Sequence, residues 1–147
     1  MVLGFFRQAS TDTAAALDRF KDKQTAEAMV AILTGTSFAD GELEAAEKKK
    51  IIDNFNLNPM LKKFDNGILL SKFNELSSHF TLDIDEGHEA CLKELRDISG
   101  KPVEQKQAIM RAGAMAAKAD GDFEQSERVF LGRCCDVLGL SREDFNL

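Results

Sequence analysis

Apolar residues recur every three or four positions along most of the chain, which is the spacing of one face of an α-helix. The apolar residues that share a face in this way include Ala28, Met29, Ile32 and Leu33, then Ile51, Ile52 and Phe55, then Ile68, Leu69, Phe73 and Leu76, and later Leu92, Leu95 and Ile98. Runs of β-branched residues, which favour strands, are scarce. The pattern therefore predicts an all-α fold, a compact bundle of seven to eight helices.

Residues that begin or end helices divide this pattern into segments. Asp40-Gly41 and Gly139 are predicted helix ends, because glycine tolerates a left-handed backbone, and Asn58-Pro59 is a predicted helix start. With short turns at 58–64 and after 141, the predicted helices lie at 14–20, 25–38, 44–55, from 65 or 66 to beyond 76, around 90–98, at 103–119 and at 125–138. The Ala- and Met-rich helix at 103–119 is expected at the centre of the bundle. The acidic residues 79–89 are expected to connect the two halves.

One acidic segment occurs twice. Residues 39–47 read Ala-Asp-Gly-Glu-Leu-Glu-Ala-Ala-Glu, and residues 119–127, 80 positions later, read Ala-Asp-Gly-Asp-Phe-Glu-Gln-Ser-Glu. A predicted helix lies on each side of each copy. The sequence therefore predicts a duplicated helix–acidic turn–helix unit, with repeat units at about 24–57 and 103–140.

The carboxylates of the two turns are candidate cation ligands. An Asp-Gly pair followed by a Glu has the spacing of the second half of an EF-hand calcium loop. The principal candidates are Asp40, Glu47, Asp120 and Glu127, and the secondary ones are Glu42, Glu44, Asp122 and Glu124. Clustered carboxylates repel one another unless a cation lies between them, so the turns predict a weak site for Ca²⁺, Mg²⁺ or Mn²⁺. If the two copies faced each other, they would pool four or more carboxylates.

The turns are not EF-hands, because the first half of that loop is missing. Its two acidic positions hold Thr36 and Phe38 in one copy and Ala116 and Lys118 in the other. The acids also have a purely structural interpretation, in which the last glutamate of each copy caps a helix and the aspartate accepts backbone N–H bonds within the turn. Against that interpretation, acids also recur at positions 42/122 and 44/124, which we take to be unnecessary for capping.

Composition and charge narrow the functional classes. The formal net charge of −6 argues against nucleic-acid binding, which draws its affinity from clustered Lys and Arg. No apolar stretch approaches the roughly 20 residues that span a bilayer, so we expect a cytoplasmic protein with no membrane insertion of its own. No nucleophile–base pair or phosphate-binding glycine loop is recognised, and enzyme activity is not expected. At 147 residues, we expect one domain, 12–147, after a flexible N-terminal arm, 1–11.

The cysteines and histidines give weaker indications of a functional role. Cys91, Cys134 and Cys135 are expected to be reduced and at least half-buried, because no secretion signal and no Cys-x-x-Cys pair is recognised. His79 and His88 border the acidic stretch and are interpreted as hydrogen-bonded residues at helix ends rather than metal ligands.

Several segments resemble the TerB tellurite-resistance family. They are Phe80-Thr-Leu-Asp83 with Gly87, Ala116 to Phe123, Leu138-Gly139-Leu140 with Asp144-Phe145, and Ala39-Asp40-Gly41 with Glu47-Lys48. The resemblance covers nearly the whole chain from about residue 20. It implies a compact helical cytoplasmic protein of tellurite resistance and stress response, with a TerC-like membrane protein and TerD-like calcium-binding proteins as partners. It also implies divalent-cation binding by acidic residues, which here are Asp40, Glu47, Asp120 and Glu127.

With this resemblance, the sequence predicts a non-enzymatic, cation-binding adaptor in the cytoplasm, near a membrane partner and at the inner membrane face. The alternative is a metal-free acidic module that docks a basic surface of a partner protein. A third hypothesis is thiol chemistry on tellurite by Cys134 and Cys135.

Overall fold

The computed structural model describes residues 13, 15–17, 19–118 and 122–147. These residues confirm the all-α prediction, with no strand among them. In chain order the elements are α1 Lys23–Ser37, α2 Ala45–Leu57, a 3₁₀ turn Leu61–Lys63, α3 Asn66–Leu82, α4 Ile84–Asp97, α5 Val103–Ala117, α6 Gln125–Leu138 and a 3₁₀ turn Arg142–Phe145. Residues 13 and 15–17 are also helical. The predicted N-terminal arm, 1–11, lies outside the described residues.

Helix boundaries follow the predicted local signals closely. The Asn58 side chain accepts from the Met60 N–H at 2.8 Å before the first 3₁₀ turn, and Asp65 accepts from the Ile68 N–H at the start of α3. Helix α6 has the predicted bounds, and Gly139 follows it with a left-handed φ of 71°. These boundaries were predictable because a capping side chain accepts a hydrogen bond from a backbone N–H only two or three residues further along the chain.

The predicted acidic connection at 79–89 is wrong. Helix α3 continues to Leu82 and α4 begins at Ile84, so only Asp83, with an extended backbone, separates them. The two helices approach closely, since a Cβ on Gly87 would lie 2.3 Å from the Phe80 ring. Asp85 and Glu86 are exposed on the first turn of α4, where a helix N-terminus favours negative charge.

Helix α1 forms the centre of the bundle. Eleven of its 15 residues are buried, including consecutive residues from Ala28 to Thr36, and it packs against α3, α4, α5 and α6. A helix that is buried on all sides belongs in the middle of a core. The prediction that residues 103–119 occupy the centre is therefore wrong in detail: α5 is well buried, but it packs along α1.

The packing of α5 on α1 depends on a glycine. A Cβ added to Gly113 would lie 2.6 Å from Ile32 Cβ and 3.2 Å from the Met29 carbonyl oxygen. Because backbone atoms cannot move aside as a flexible side chain can, only glycine fits without shifting a helix. No helix in the described part of the chain combines the length and the apolar composition needed to cross a membrane.

A buried histidine lies in an aromatic layer between α1, α3, α4 and α6. The His88 ring stacks on Phe130 at 4.8 Å and meets the Phe80 ring edge-on at 5.3 Å, while Phe80 stacks on Phe38 at 4.5 Å. Its Nε2 atom is buried without a hydrogen-bond partner. Burial lowers the pKa of His88 below its ordinary value of 6.5, against the raising effect of a hydrogen bond with the Gly35 backbone. His88 is thus a core residue, not the helix-end residue that the sequence predicted.

We predict that Gly113→Ala lowers the free energy of unfolding by about 1–3 kcal/mol, because the added methyl group overpacks the interface between α1 and α5. Urea denaturation followed by circular dichroism measures the loss. Gly100→Ala is the matched control, since a Cβ there meets no atom within 4 Å. Equal stability of the two variants would contradict the close approach.

We also predict that His88 makes stability depend on pH. Because the folded-state pKa lies below the unfolded value, neutral His88 stabilises the fold above about pH 6.5, and this contribution is lost as the pH falls from there towards the lowered pKa. The loss amounts to roughly 1.4 kcal/mol for each unit of pKa lowering. Urea midpoints at pH 7.5, 6.5 and 5.5 should fall less steeply for His88→Met than for wild type, and equal slopes would contradict the prediction.

Candidate functional site

Helices α1 and α5 run parallel, which brings the segments after them to the same end of the bundle. Near the beginnings of both helices, Gln105 Nε2 donates to Thr25 Oγ1 at 2.8 Å. At the other end, Ser37 and Ala117, the last residues of the two helices, line one pocket. Both pairs are separated by 80 positions, the same offset as the two acidic turns.

The two turns share this pocket, which has a volume of about 360 Å³. It is lined by Ser37, Leu43, Glu47, Lys50, Ile51, Ala117, Lys118 and Glu127. The Asn54 side chain of α2 reaches the Ala116 carbonyl oxygen at 3.5 Å and ties α2 to the end of α5 beside it. Glu47 comes from the first turn and Glu127 from the second. Of the seven candidate ligands that the structure describes, these two line the same pocket.

Each of these glutamates also closes a capping box. The Glu44 N–H donates to Glu47 Oε1 at 3.3 Å, and the Glu124 N–H donates to Glu127 Oε1 at 2.7 Å. Glu44 and Glu124 are the N-cap residues of α2 and α6, and their side chains accept from the backbone in return. Glu44 and Glu124 therefore belong to the helix caps, and the prediction that capping leaves them without a role is wrong. The capping bond involves Oε1 of each glutamate, so a second carboxylate oxygen remains for another partner.

Glu127 is the buried member of the pair. It is 8% exposed, whereas Glu47 is solvent-exposed. Its Oε2 atom lies 3.5 Å from Lys118 Nζ. A carboxylate removed from water in this way needs a compensating positive charge, and in this structure Lys118 supplies it. Two glutamates and two lysines, Lys50 and Lys118, therefore line the same pocket.

The remaining candidate ligands that the structure describes do not line this pocket. Asp40 is exposed, and its Oδ1 accepts from the Glu42 N–H at 3.2 Å, while Gly41 adopts a φ of 97°. This is the turn-fixing role of the structural interpretation. Glu42, Glu44, Asp122 and Glu124 are also exposed. Asp120 lies outside the described residues. Within the described ranges, no group of three or more His, Cys, Asp or Glu side chains has an arrangement that could hold a metal ion.

The two lysines of the pocket were only partly predictable. From the sequence, Lys118 departs from the EF-hand pattern, and Lys50 belongs to a run of three lysines, 48–50, on a solvated helix face where it is expected to pair with Glu47. The available signal was position: Lys118 directly precedes the second acidic segment, and Lys50 lies one helical turn after Glu47. Whether they point at the carboxylates depends on how α2, α5 and α6 pack.

The cysteines and His79 lie away from this pocket. All three thiols are free and buried, as expected. Burial is the main cause that raises the pKa of Cys91 and Cys134, and it raises that of Cys135 to about 11, with the neighbouring Asp136 carboxylate contributing. His79 Nδ1 lies 3.5 Å from Glu86 Oε1, on the outer face of α3 and α4. These groups form no site with the paired turns.

Fold and pocket define a class: a helical bundle in which two acidic, doubly capped turns meet at one pocket. The family model described as "Tellurite resistance protein TerB" matches residues 26–147. The chain is also 27% identical over 95 residues to "Tellurium resistance protein TerB" of Alcaligenes sp, an alignment that covers 65% of this chain and 77% of that protein. No solved structure matched the chain. The chain belongs to the TerB family, as the resemblance indicated.

We predict that the thiols react slowly in the folded protein. Raising a thiol pKa by two units reduces the reactive thiolate fraction about 100-fold at neutral pH, and burial also blocks access. In an assay with Ellman's reagent at pH 7.5, native protein should show slow release of the chromophore, and protein in 6 M guanidinium should release three equivalents at once. Rapid reaction of even one thiol in the native protein would reopen the hypothesis of thiol chemistry on tellurite.

Proposed function

We propose that this TerB-family protein, whose family membership indicates a role related to tellurite resistance, acts as a non-enzymatic, divalent-cation-binding adaptor. The cation would bind where the two acidic turns meet. The observation that carries the proposal is the shared pocket, because Glu47 and Glu127 are 80 positions apart in the chain and yet line the same space. Helix capping alone would be satisfied within each turn and does not require the two turns to meet.

The chemistry of the donors fits a hard cation. The candidate ligands are carboxylates, and carboxylate oxygens are preferred by Ca²⁺, Mg²⁺ and Mn²⁺. Glu47 and Glu127 would each offer an oxygen that the capping box does not use, and Asp40 and Asp120 would contribute from the two Asp-Gly positions. Water would complete the coordination, as expected for a weak site. When bound, the ion supplies positive charge that neutralises the carboxylates and links one turn to the other.

The adaptor role concerns the surface around the pocket. Asp40, Glu42 and Glu44 are exposed, so a basic partner surface has access to them. We propose that cation binding fixes the two turns relative to each other and so presents this surface to a TerC-like membrane protein or TerD-like proteins, in the cytoplasm at the inner membrane face. The proposal includes no catalytic step and assigns no catalytic residue.

A second candidate function is a metal-free docking module. It is favoured by the lysines in the pocket, since Lys118 already neutralises Glu127 without an ion. In this case the exposed acids of the turns would contact a basic partner surface directly, and the pocket would be a structural junction between α2, α5 and α6.

We predict that wild-type protein binds Ca²⁺ or Mn²⁺ weakly and that Glu47→Gln/Glu127→Gln weakens binding by at least roughly tenfold. Isothermal titration calorimetry in chelator-treated buffer measures the affinity. Glutamine is chosen because its side-chain carbonyl still accepts the capping N–H, so the variant loses the charges and keeps the capping boxes. Asp40→Asn/Asp120→Asn tests the other two ligands in the same way.

Glu143→Gln, on the exposed C-terminal 3₁₀ turn, is the matched charge control and should bind as wild type does. Flat isotherms for wild-type protein with all three ions would contradict the cation site. If the Asp40→Asn/Asp120→Asn variant then also lost a partner in pull-down, the metal-free docking module would replace it.

A further inference from the structure

We propose that residues 141–147 form a strap that opens without unfolding of the helices and so controls access to the thiol of Cys135. The strap follows α6 and includes the second 3₁₀ turn, Arg142–Phe145. The inference is independent of the proposed cation binding, because no strap residue lines the pocket of the two acidic turns.

The strap runs back along one face of α6. Gly139, with its left-handed φ of 71°, reverses the chain at the end of the helix. Arg142 then forms two hydrogen bonds with Asp136, Nε with Oδ1 at 3.0 Å and Nη2 with Oδ2 at 2.6 Å. Further along, the Asn146 carbonyl oxygen accepts from Arg128 Nη2 at 2.6 Å. Later strap residues therefore contact earlier turns of α6.

Arg142 lies across the part of this face that carries Cys135. A Cβ added to Gly132 would lie 2.8 Å from Arg142 Cζ, so the guanidinium group packs directly on the α6 backbone there. The same group pairs with Asp136, one turn further on. Positions 132, 135 and 136 share one face of the helix, since residues three and four apart are neighbours. The guanidinium group therefore spans the helix surface at Cys135, whose side chain is completely buried.

The charges near the three thiols also place Cys135 beneath the strap. Burial is the main cause that raises the pKa of Cys135 to about 11, and the charges that act on it include Arg142 and Asp144 of the strap. For Cys91 and Cys134, burial again raises the pKa, but the other groups involved lie on α1, α4 and α6. Of the three buried thiols, Cys135 is therefore the one that the strap covers.

The strap is held by weaker contacts than the helices are. None of its seven residues is buried, and only Phe145 and Leu147 are half-buried against the core. The paired side chains of Arg142 and Asp136 are 48% and 57% exposed, and Arg111 Cζ lies 5.4 Å from the centre of the Phe145 ring. Exposed ion pairs contribute little, and segments with few buried apolar contacts open at lower free energy than the core. The strap can therefore lift while α6 stays packed.

Opening changes the reactivity of Cys135 in two ways. It gives reagents access to the sulfur, and it returns the thiol to water, which removes the main cause of the raised pKa. With a pKa near the ordinary value of 9.0 instead of about 11, the thiolate fraction at neutral pH is about 100-fold larger in the open form. Cys135 is then the thiol that reacts first with a soft electrophile, whereas Cys91 and Cys134 react only when the bundle unfolds.

Labelling with N-ethylmaleimide at pH 7.5, with each label located by tandem mass spectrometry, tests the strap. The thiolate adds to the carbon–carbon double bond of the maleimide and the neighbouring carbon takes up a proton, so no oxidant is needed and no group leaves. Arg142→Gln should raise the labelling rate of Cys135 by roughly two- to fivefold, because loss of an exposed ion pair enlarges the open population. Cys91 and Cys134 should keep their wild-type rates. Glu143→Gln, which changes an exposed strap charge outside these contacts, is the matched control.

Gly132→Ala tests the strap from the side of α6. The added methyl group would meet the Arg142 guanidinium group, which must move off the helix, while alanine favours the helix more than glycine does. Labelling of Cys135 should therefore rise as in Arg142→Gln, with no loss of stability to urea. Gly100→Ala, where the added Cβ meets no atom within 4 Å, should label as wild type does.

Two results would overturn the strap. If Cys135 keeps its wild-type labelling rate in both variants, the strap does not control access to it. If the labelling of all three thiols rises in parallel, unfolding of the bundle exposes them. Neither result bears on the cation site, which is tested by titration of different residues. Should Arg142→Gln fail to fold by circular dichroism, Gly132→Ala decides the test.

Discussion

The parallel packing of α5 along α1 determines where the candidate ligands lie. Two parallel helices in contact end at the same side of the bundle, so the segments that follow them must meet there. Gly113 allows this contact, because its missing side chain lets the α5 backbone come within reach of Ile32 and Met29. Gln105 and Thr25 fix the register by a buried hydrogen bond at the other end. A slip by one residue would rotate the helices by about 100° and separate the contacts.

Glu47 and Glu127 each take part in a local helix cap and also line a pocket formed by distant parts of the chain. Through Oε1 each glutamate completes the start of its own helix, a contact that needs only the neighbouring residues. Through its position on the shared pocket, each faces the other half of the chain. Capping restrains each side chain, so placing its second oxygen towards the pocket costs little further conformational entropy. A residue that is already ordered for a structural reason is well suited to bind an ion.

Contacts elsewhere in the bundle fix the positions of α3, α4 and α6 relative to α1. Phe130 lies against Gly35, and His88 stacks on Phe130, so α4 and α6 close over the end of α1. On the other side, Lys72 Nζ lies 2.8 Å from Glu94 Oε1 and 3.3 Å from Glu27 Oε2 and joins α3 to α4 and α1. Burial alone would lower the pKa of Lys72, but hydrogen bonds and charges from the surrounding glutamates raise it. The lysine therefore stays charged and the ion pairs persist.

The sequence by itself determined the helical class, most helix boundaries and the recurrence of the acidic turns, because periodicity, caps and glycines act over a few residues. It also supplied the candidate acids, whereas the duplication, the single-domain boundary and the bound ion remain predictions. It misjudged residues 79–89, since acidic composition does not distinguish a loop from the solvent face of a helix. Only the tertiary structure decided that α1 is central, that Glu47 and Glu127 share a pocket, and that Lys118 lies beside Glu127. Such contacts join residues far apart in the chain, and their geometry depends on how whole helices pack.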